Sequence, residues 1–450
     1  MEIKEQEKLE INNVYGVEKC AQWIQSNNFT KTCLQFPDSL LPDATDVALS
    51  IEKLTQRKVY ILGDTSYGSC CIDEIAAQHV SADSIVHFGH ACLTPTARLP
   101  VFHVLPKKEV DVDSLMEKFQ STFQDHNSHI LFFFDVAYAH KIEKISSSLS
   151  TTYENIIFPT LNCTSDVEFV DTKSTCSNSI LGRSFQLKSE CNIGDYQACF
   201  LGEDGKTFAI LSMSIPAKKW YHLDNNGIVE IEGMNTVWLR RRRYLVEKLK
   251  DAKVVGIVAA TLGIKEYLKA IKMIKNVLKQ QNIKSYILSV GKINPAKLAN
   301  FPEIDAFVVV TCPENDVFDS KDFLKPILLP YEVELAFNSA RIQYGQYCMD
   351  FRQILPGGDN YMEFVSSTNS TVSLVSGKLL SNDDDAPSIE EMNALAIKTP
   401  GTVAIGKAGA QFLQDRSWKG VEQRLGKDSV HSATIGRTGL PTEYQNEPDS

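Results

Sequence analysis

The feature that most constrains the fold is a strand–helix–strand alternation that recurs three times along the chain. Short continuous apolar runs are typical of buried parallel strands, and longer runs with a 3.6-residue period are typical of helices. The three units open on the runs Thr32–Phe36, Ile130–Phe134 and Val254–Ala259. Because a helix that joins two parallel strands makes a right-handed crossover, the sequence predicts an α/β protein with three Rossmann-like parallel-sheet domains.

The other elements are predicted from the same patterns. The predicted strands are Val59–Leu62, Ser84–Phe88, Asn155–Phe158, Gln197–Leu201, Thr207–Leu211, Ser285–Leu288 and Ala306–Val310, and the predicted helices cover about 41–54, 72–79, 141–149 and 265–281. The first and third units also share a Lys-x-Tyr-Ile-Leu strand that precedes an Asp-headed apolar strand, which ends just before a cysteine. This internal similarity indicates duplication of an α/β module.

The same patterns divide the chain into five segments. These are an N-terminal extension (1–27), α/β domains at 28–125, 126–240 and 241–365, and a C-terminal extension (366–450). The acidic stretch at 381–386 and the Gly-, Ser-, Thr- and Pro-rich residues at 426–450 predict a flexible, partly disordered C-terminal tail.

Composition excludes several classes of function. The net charge of −10 argues against a nucleic-acid-binding protein, because phosphate backbones attract basic surfaces. No run approaches the roughly 18 apolar residues that a membrane span needs. The polar, acidic N-terminus has no apolar secretory core, so we expect a cytoplasmic protein. Eleven cysteines are too few for a secreted disulfide scaffold and, in a reducing cytosol, are thiols or metal ligands.

Five cysteines follow predicted strands. Cys70 and Cys71 follow the second strand of the first unit and Cys92 the third, whereas Cys163 and Cys312 belong to the second and third units. Ligands gather at the carboxyl ends of strands in open parallel sheets. Thiolates supplied by distant loops do not fit a zinc ribbon with paired Cys-x-x-Cys knuckles, and they suit an iron–sulfur cluster. On spacing alone, zinc and inert thiols stay as alternatives.

Long motifs lie along nearly the whole chain. They are LQFPDSLLPDA (34–44), ILGDTSYGSCCIDEIAA (61–77), ADSIVHFGHACL (82–93), FVVVTCPEN (307–315), KPILLPYEVELA (325–336) and SWKGVEQRLG (417–426). Together they resemble the diphthamide biosynthesis protein 1/2 family. The Gln-Phe-Pro-Asp and Gly-Ser-Cys-Cys forms and the Ser-Trp tail are similar to the accessory branch of that family rather than to its catalytic branch.

The resemblance implies a function as well as a fold. It implies three α/β domains around a pseudo-threefold centre, with a [4Fe-4S] cluster held by three cysteines. In the family the reduced cluster cleaves S-adenosylmethionine, and a 3-amino-3-carboxypropyl group is added to a histidine of elongation factor 2, which begins diphthamide synthesis. The resemblance implies that this chain is the accessory partner in a heterodimer with the diphthamide biosynthesis protein 1 paralogue. In that role it would support the reduction and stability of the other subunit's cluster, with electrons supplied by an electron-donor protein. The alternatives are a competent transferase, a quinolinate synthase-like dehydratase and a metal-free structural partner.

Carried over to this sequence, the resemblance assigns Cys71, Cys92 and Cys312 as the metal ligands and assigns no catalytic residue. Cys312 in Thr-Cys-Pro matches the third-domain ligand of the family. Adjacent side chains in an extended loop point to opposite sides, so we expect only one of Cys70 and Cys71 to face the cluster. Cys163, in Asn-Cys-Thr-Ser-Asp, keeps part of the second-domain motif Gly-Cys-Thr-Ser-Pro and stays open as an alternative to Cys92.

Further charged and titratable side chains have two interpretations each. The basic run Arg240–Arg243 is predicted to be a solvated helix face, with a receptor for a carboxylate as the alternative. His87 is interpreted as a core histidine, whereas His90, in the turn before Cys92, is more plausible near a site. Asp73 and Glu74 are interpreted as helix-capping residues rather than a general base.

Overall fold

The structure is a computed structural model, and it describes residues 11–63, 69–96, 98–167, 178–188, 191–224, 227–231, 237–314, 322–341, 347–366, 371–377, 379–380, 439–440 and 443–444. The chain divides into two compact units, Met1–Gly406 and Lys407–Ser450. In the second unit, one antiparallel pair of short strands is described. Most of the predicted C-terminal tail, including 381–386, lies outside the described residues. None of the helices in the described ranges is long and apolar enough to cross a bilayer.

The strands are short, and most have two to six residues. In chain order they are β1 (Thr32–Gln35), β2 (Val59–Leu62), β3 (Ser84–Phe88), β4 (Val101–Val104), β5 (Ile130–Phe134), β6 (Ile156–Ile157), β7 (Thr160–Leu161), β8 (Thr164–Ser165), β9 (Asn178–Ile180), β10 (Arg183–Phe185), β11 (Gln197–Leu201), β12 (Lys219–Leu223), β13 (Ile228–Ile231), β14 (Val254–Ala259), β15 (Lys284–Ser289), β16 (Ala306–Val310), β17 (Ile327–Leu328), β18 (Thr371–Val372), β19 (Leu379–Leu380), β20 (Gly439–Leu440) and β21 (Glu443–Tyr444).

The helices alternate with these strands. They are α1 (Val17–Ser26), α2 (Ala44–Thr55), α3 (Glu74–Gln78), α4 (Val112–Thr122), α5 (Ile142–Ser150), α6 (Lys206–Ser214), α7 (Val237–Lys250), α8 (Tyr267–Gln280), α9 (Pro295–Ala299) and α10 (Pro330–Phe337). Short 3₁₀ helices lie at Asp38–Asp43, Val136–Lys141, Ile193–Asp195 and Phe351–Ile354.

The first sheet has the strand order β2-β1-β3-β4-β8, and every pair in it is parallel. β1 lies between β2 and β3, with Thr32 opposite both Val59 and Ser84. All of its residues are buried, which agrees with a central strand covered on both faces. The parallel arrangement places the carboxyl ends of β1, β2 and β3 at one edge.

The second sheet has the order β13-β12-β11-β5-β6 and is parallel except for the hairpin between β12 and β13. The inner strand β5, which lies between β11 and β6, shows why continuous apolar runs predict parallel strands. Ile130, Phe132 and Phe134 belong to one apolar core. The intervening residues Leu131 and Phe133 belong to another core on the opposite face. Both faces of this strand are therefore buried.

The third sheet, β15-β14-β16-β17, is parallel throughout. Helix α8 packs Ala270, Ile274 and Leu278 against the face of the sheet that carries Val255. These apolar residues recur at intervals of four along the helix, which is the spacing that buries one helical face. The strands β7, β10 and β9 form a small antiparallel sheet. In the sequence these strands lie between β6 of the second sheet and β11 of the same sheet.

The predicted α/β class with several parallel sheets is confirmed. β2, β3, β5, β11, β14 and β16 have the predicted bounds. The predicted strand Thr207–Leu211 is wrong, because these residues lie in helix α6. Nearly every residue of that helix is buried, so its apolar run carried no periodicity that distinguishes a helix from a strand. The sequence interpretation also missed β4, β12 and α4. The five domain bounds stay a prediction.

Candidate metal centre

Four cysteine thiols meet at the carboxyl edges of the first and third sheets. The Sγ atoms of Cys70, Cys71, Cys92 and Cys312 all lie within 4.8 Å of one another. The Sγ of Cys71 is 4.0 Å from that of Cys70 and 3.9 Å from that of Cys92. We call these four residues the thiol group. Cys92 and Cys312 are buried, and the other two are half-buried.

A turn after β2 brings two adjacent cysteines to the same place. Residues 69–71 form a turn rather than an extended loop, so the expectation that only one of Cys70 and Cys71 faces the site does not hold. Gln35, buried at the end of β1, fixes this turn: its Nε2 donates to the carbonyl oxygen of Cys71 at 2.7 Å, and its Oε1 accepts from the backbone N–H of Asp73 at 2.9 Å. The first sheet therefore positions the turn through a side chain of its own central strand.

Cys92 is placed by a sharp exit from β3. Gly89 follows the strand with φ of +95°, a conformation that glycine adopts at little cost. The backbone N–H of Cys92 donates to the carbonyl oxygen of Cys70 at 3.3 Å, which links the two cysteine loops. Leu93 has φ of +55°, which is uncommon for a residue with a side chain. Strain of this kind is tolerated where the surrounding structure fixes the backbone.

Cys312 comes from the third sheet, two residues beyond the end of β16. The carbonyl oxygen of Glu314 lies 3.7 Å from the Sγ of Cys70. The Glu314 carboxylate is 2.7 Å from Nε2 of His90, which is in the loop of Cys92. This contact raises the pKa of His90 against the opposing effect of burial. The loop of Cys92 and the loop of Cys312 are thus in contact through an ion pair as well as through the thiol group.

The thiols influence one another strongly. Hydrogen bonds from Cys312, Cys70 and Cys71 hold the pKa of the Cys92 thiol well below its ordinary value. The pKa of Cys312 is raised well above its ordinary value by hydrogen bonds to Cys70, Cys71 and Cys92 and by burial. Neighbouring donors therefore favour a thiolate at Cys92. A thiolate is the form of cysteine that binds metal.

The donor set fits a metal centre. In a tetrahedral zinc–thiolate site a Zn–S bond of about 2.3 Å gives sulfur separations of about 3.8 Å. The 3.9 and 4.0 Å separations are close to that spacing. A cubane iron–sulfur cluster is larger than one ion, so its terminal thiolates lie farther apart. Four soft thiolates are the ligand set of both kinds of centre, and a cluster requires the four sulfurs to move outward.

Cys163 is not part of the thiol group. It lies between β7 and β8, is 7% exposed, and packs in the apolar core with Leu161 and Leu93. Burial raises the pKa of its thiol to about 12. Of the two alternatives left open by the sequence, the structure places Cys92 with the other thiols.

The other titratable side chains that the sequence singled out lie outside the thiol group and make contacts within the fold. His87 is completely buried, and its Nε2 lies 3.0 Å from the carbonyl oxygen of Ser69. Asp73 caps α3 by accepting the backbone N–H of Ala76, as predicted. Within the basic run of α7, Arg240 is exposed, but Arg242 is 1% exposed, so the run is not simply a solvated face.

Two buried charged groups near the metal centre were missed. Glu314 lies in the Thr-Cys-Pro-Glu-Asn motif, and its position two residues after Cys312 is a signal that could have identified it. Arg183 is 1% exposed and donates to the carbonyl oxygens of Leu181 and Phe134. Its burial lowers the pKa of the guanidinium, although Glu314 and Asp135 oppose this effect. The sequence around Arg183 carries no comparable motif.

Comparisons with known proteins agree on one family. A family model described as putative diphthamide synthesis protein matches residues 36–348. The chain is 39% identical over 457 residues to 2-(3-amino-3-carboxypropyl)histidine synthase subunit 2 of Danio rerio, covering 96% of this chain and 92% of that protein. The subunit 2 of Homo sapiens is 32% identical, with 97% and 94% covered. A crystal structure of Dph2 from Pyrococcus horikoshii with a 4Fe-4S cluster shares the fold, with a TM-score of 0.55, 20% identity, and coverage of 71% of this chain and 90% of that one.

Proposed function

The chain belongs to the diphthamide synthesis protein family, and from this premise we propose that it is the iron–sulfur subunit of a heterodimeric 2-(3-amino-3-carboxypropyl)histidine synthase. Its partner is the paralogous first subunit, since the relatives of this chain are named as second subunits. The protein substrate is elongation factor 2, and the reaction is the first step of diphthamide synthesis in the cytoplasm.

The observation that carries this proposal is the meeting of four thiols from two separate sheets. Cys71, Cys92 and Cys312 are assigned as cluster ligands because their sulfurs lie within 4.8 Å of one another at adjoining sheet edges. The solved relative from Pyrococcus horikoshii contains a 4Fe-4S cluster. When bound, such a cluster supplies one-electron chemistry.

The residues of this chain hold and enclose the centre. Gln35 fixes the turn that carries Cys71, and His90 with Glu314 joins the loops on either side of the thiols. Because Cys92 and Cys312 are buried in apolar surroundings, this side of the site is shielded from water. We assign this chain the role of supporting reduction and stability of the partner's catalytic cluster, with electrons supplied by a donor protein.

The proposal is tested with the purified heterodimer under anaerobic conditions. Transfer of the aminocarboxypropyl group from S-adenosylmethionine to elongation factor 2 is followed by protein mass, and iron and sulfide are counted in each chain. Replacing all four thiols of the group by alanine is expected to remove iron from this chain and to lower the transfer rate about tenfold or more. Cys163→Ala is the matched control and is expected to leave both unchanged.

Two results would contradict the proposal. Undiminished transfer by the heterodimer that carries the four-alanine variant would make this chain a metal-free structural partner. Transfer by this chain without its paralogue would make it a competent transferase. Circular dichroism and co-purification of the variant with the first subunit control for loss of folding.

A further inference from the structure

Cys70 belongs to the thiol group together with Cys71. Its Sγ is 4.0 Å from the Sγ of Cys71, and it is included in the set of four sulfurs that lie within 4.8 Å of one another. Both side chains are half-buried. The positions of these two sulfurs therefore give no reason to treat one as a ligand and the other as a bystander.

The backbone holds Cys70 between the other two ligand loops. Its carbonyl oxygen accepts the N–H of Cys92 at 3.3 Å, and its Sγ lies 3.7 Å from the carbonyl oxygen of Glu314. In an extended loop the side chain beside a ligand points away from the site. Here the turn at 69–71 directs both side chains the same way, and contacts to the first and third sheets fix that arrangement.

Building on the proposed function, we propose that Cys70 is a fourth protein ligand of the cluster. Three cysteines leave one iron of a [4Fe-4S] cluster open to substrate, whereas four bind every iron. A cysteine must lose its proton to bind metal, and metal binding releases protons from the thiols that it contacts. Because Cys70 packs against the three assigned ligands, a metal that is loaded there also contacts Cys70. The centre in this chain is consequently closed to direct binding of a sulfonium substrate.

A closed centre separates the roles of the two subunits. A centre whose irons are all bound by thiolates stores and passes single electrons, but has no iron position at which S-adenosylmethionine could be bound and cleaved. The chemistry of group transfer then belongs to the partner subunit alone. This division follows from the presence of one additional thiol in the first cysteine loop.

The test uses the full-length chain, reconstituted anaerobically with ⁵⁷Fe and sulfide. Wild type is compared with Cys70→Ala, with Cys71→Ala as the matched neighbour, and with Cys163→Ala as the control outside the group. The readouts are iron and sulfide per chain, and the electron paramagnetic resonance spectrum after mild oxidation. A third readout is the change of the reduced spectrum on addition of S-adenosylmethionine.

The wild type is expected to keep about four irons after mild oxidation, with no signal from a three-iron cluster. Cys70→Ala and Cys71→Ala are each expected to lose about one iron in four and to show that signal. Added S-adenosylmethionine is expected to change the reduced spectrum of Cys70→Ala and to leave that of the wild type unchanged. Cys163→Ala is expected to match the wild type throughout.

Wild-type iron retention and spectra in Cys70→Ala, together with iron loss in Cys71→Ala, would overturn the proposal and leave the proposed function intact. A wild type that binds one zinc and no sulfide would overturn both. If Cys70→Ala does not fold by circular dichroism, Cys70→Val decides. Its side chain fills the space of the thiol but has no atom that can bind iron, so the three-iron signal is again expected; its absence would count against ligation by Cys70.

Discussion

The first and second sheets have similar parallel cores, yet only the first contributes thiols to the metal centre. In the first sheet, β2 and β3 are followed by loops that end in Cys70, Cys71 and Cys92. In the second sheet, β5 is followed directly by Asp135, whose carboxylate accepts the N–H of Ala137 and begins a 3₁₀ turn. The same edge of a parallel sheet thus presents clustered thiols in one case and a helix cap in the other.

The path of the chain explains the different fate of Cys163. After β6 the chain leaves the second sheet: β7 joins the small antiparallel sheet, and β8 pairs with β4 of the first sheet. Cys163 lies between these two short strands and is buried in apolar surroundings. A cysteine that follows a strand in sequence reaches the sheet edge only if the strand and its loop belong to the same sheet.

The sharpest test of this comparison sets Cys312→Ala against Cys163→Ala. Cys312 is the only thiol of the group that the third sheet supplies, so its loss leaves ligands on one side of the centre. We expect iron bound per chain to fall about tenfold or more, because the three remaining thiols all come from the first sheet and leave the centre open on the other side, whereas loss of Cys70 or Cys71 leaves thiols on both sides. Iron analysis and absorption near 400 nm provide the measurement.

Cys163→Ala is expected to bind as much iron as the wild type. A loss of iron in Cys163→Ala comparable with that in Cys312→Ala would show that the segment between β7 and β8 supplies a ligand after all. Thermal unfolding of both metal-free variants controls for a general loss of structure.

Two buried arginines extend the comparison to electrostatics. Arg242 forms a bidentate ion pair with Glu332, whose carboxylate also accepts the Tyr347 hydroxyl. Arg183, in β10, lies within 4.0 Å of no carboxylate among the residues that the structure describes, and its Nε has no partner there. Arg242 therefore pairs directly with a buried carboxylate, whereas Arg183 interacts with Glu314 and Asp135 only at longer range.

Arg242→Met should lower the free energy of unfolding by about 3–5 kcal/mol, because Glu332 is left buried without its counter-charge. Arg183→Met should change it by only about 1 kcal/mol, since relief of burying a cation offsets the lost hydrogen bonds to two carbonyls. Urea unfolding of the two variants checks the difference. Equal losses would mean that Arg183 has a carboxylate partner in solution, with Glu314 the first to examine.

The sheets could be predicted because parallel strands that are buried on both faces appear in the sequence as unbroken apolar runs, such as Ile130–Phe134. The same rule failed for α6, where burial on all sides removes the helical period. β4 and β12 were missed, although β3 was predicted correctly with a histidine, His87, within a similar apolar pattern.

The candidate site was predictable in part. Cys92 and Cys312 follow strands whose bounds were predicted correctly, so each was expected at the carboxyl edge of its own sheet. The orientation of Cys70 was not predictable, because it depends on a turn fixed by Gln35, far away in sequence. The exclusion of Cys163 depends on which sheet β8 joins, and strand pairing is not encoded in the local pattern.

The smallest expected difference between two paired variants concerns the packing of the β9–β10 hairpin against the loop of Cys92. Gly182, between β9 and β10, has φ of +69°, and a Cβ there would lie 2.3 Å from the Cβ of Leu93, next to Cys92. Gly377 has the same φ with nothing within 4 Å, so it is a matched control for backbone strain alone. We expect Gly182→Ala to cost about 2–3 kcal/mol in unfolding free energy and Gly377→Ala about 1 kcal/mol. Because Leu93 must move in the first variant, its iron retention should also fall. Equal stability of the two variants would show that the β9–β10 hairpin does not pack tightly against the loop of Cys92. The hairpin would then contribute neither a ligand nor support to the metal centre.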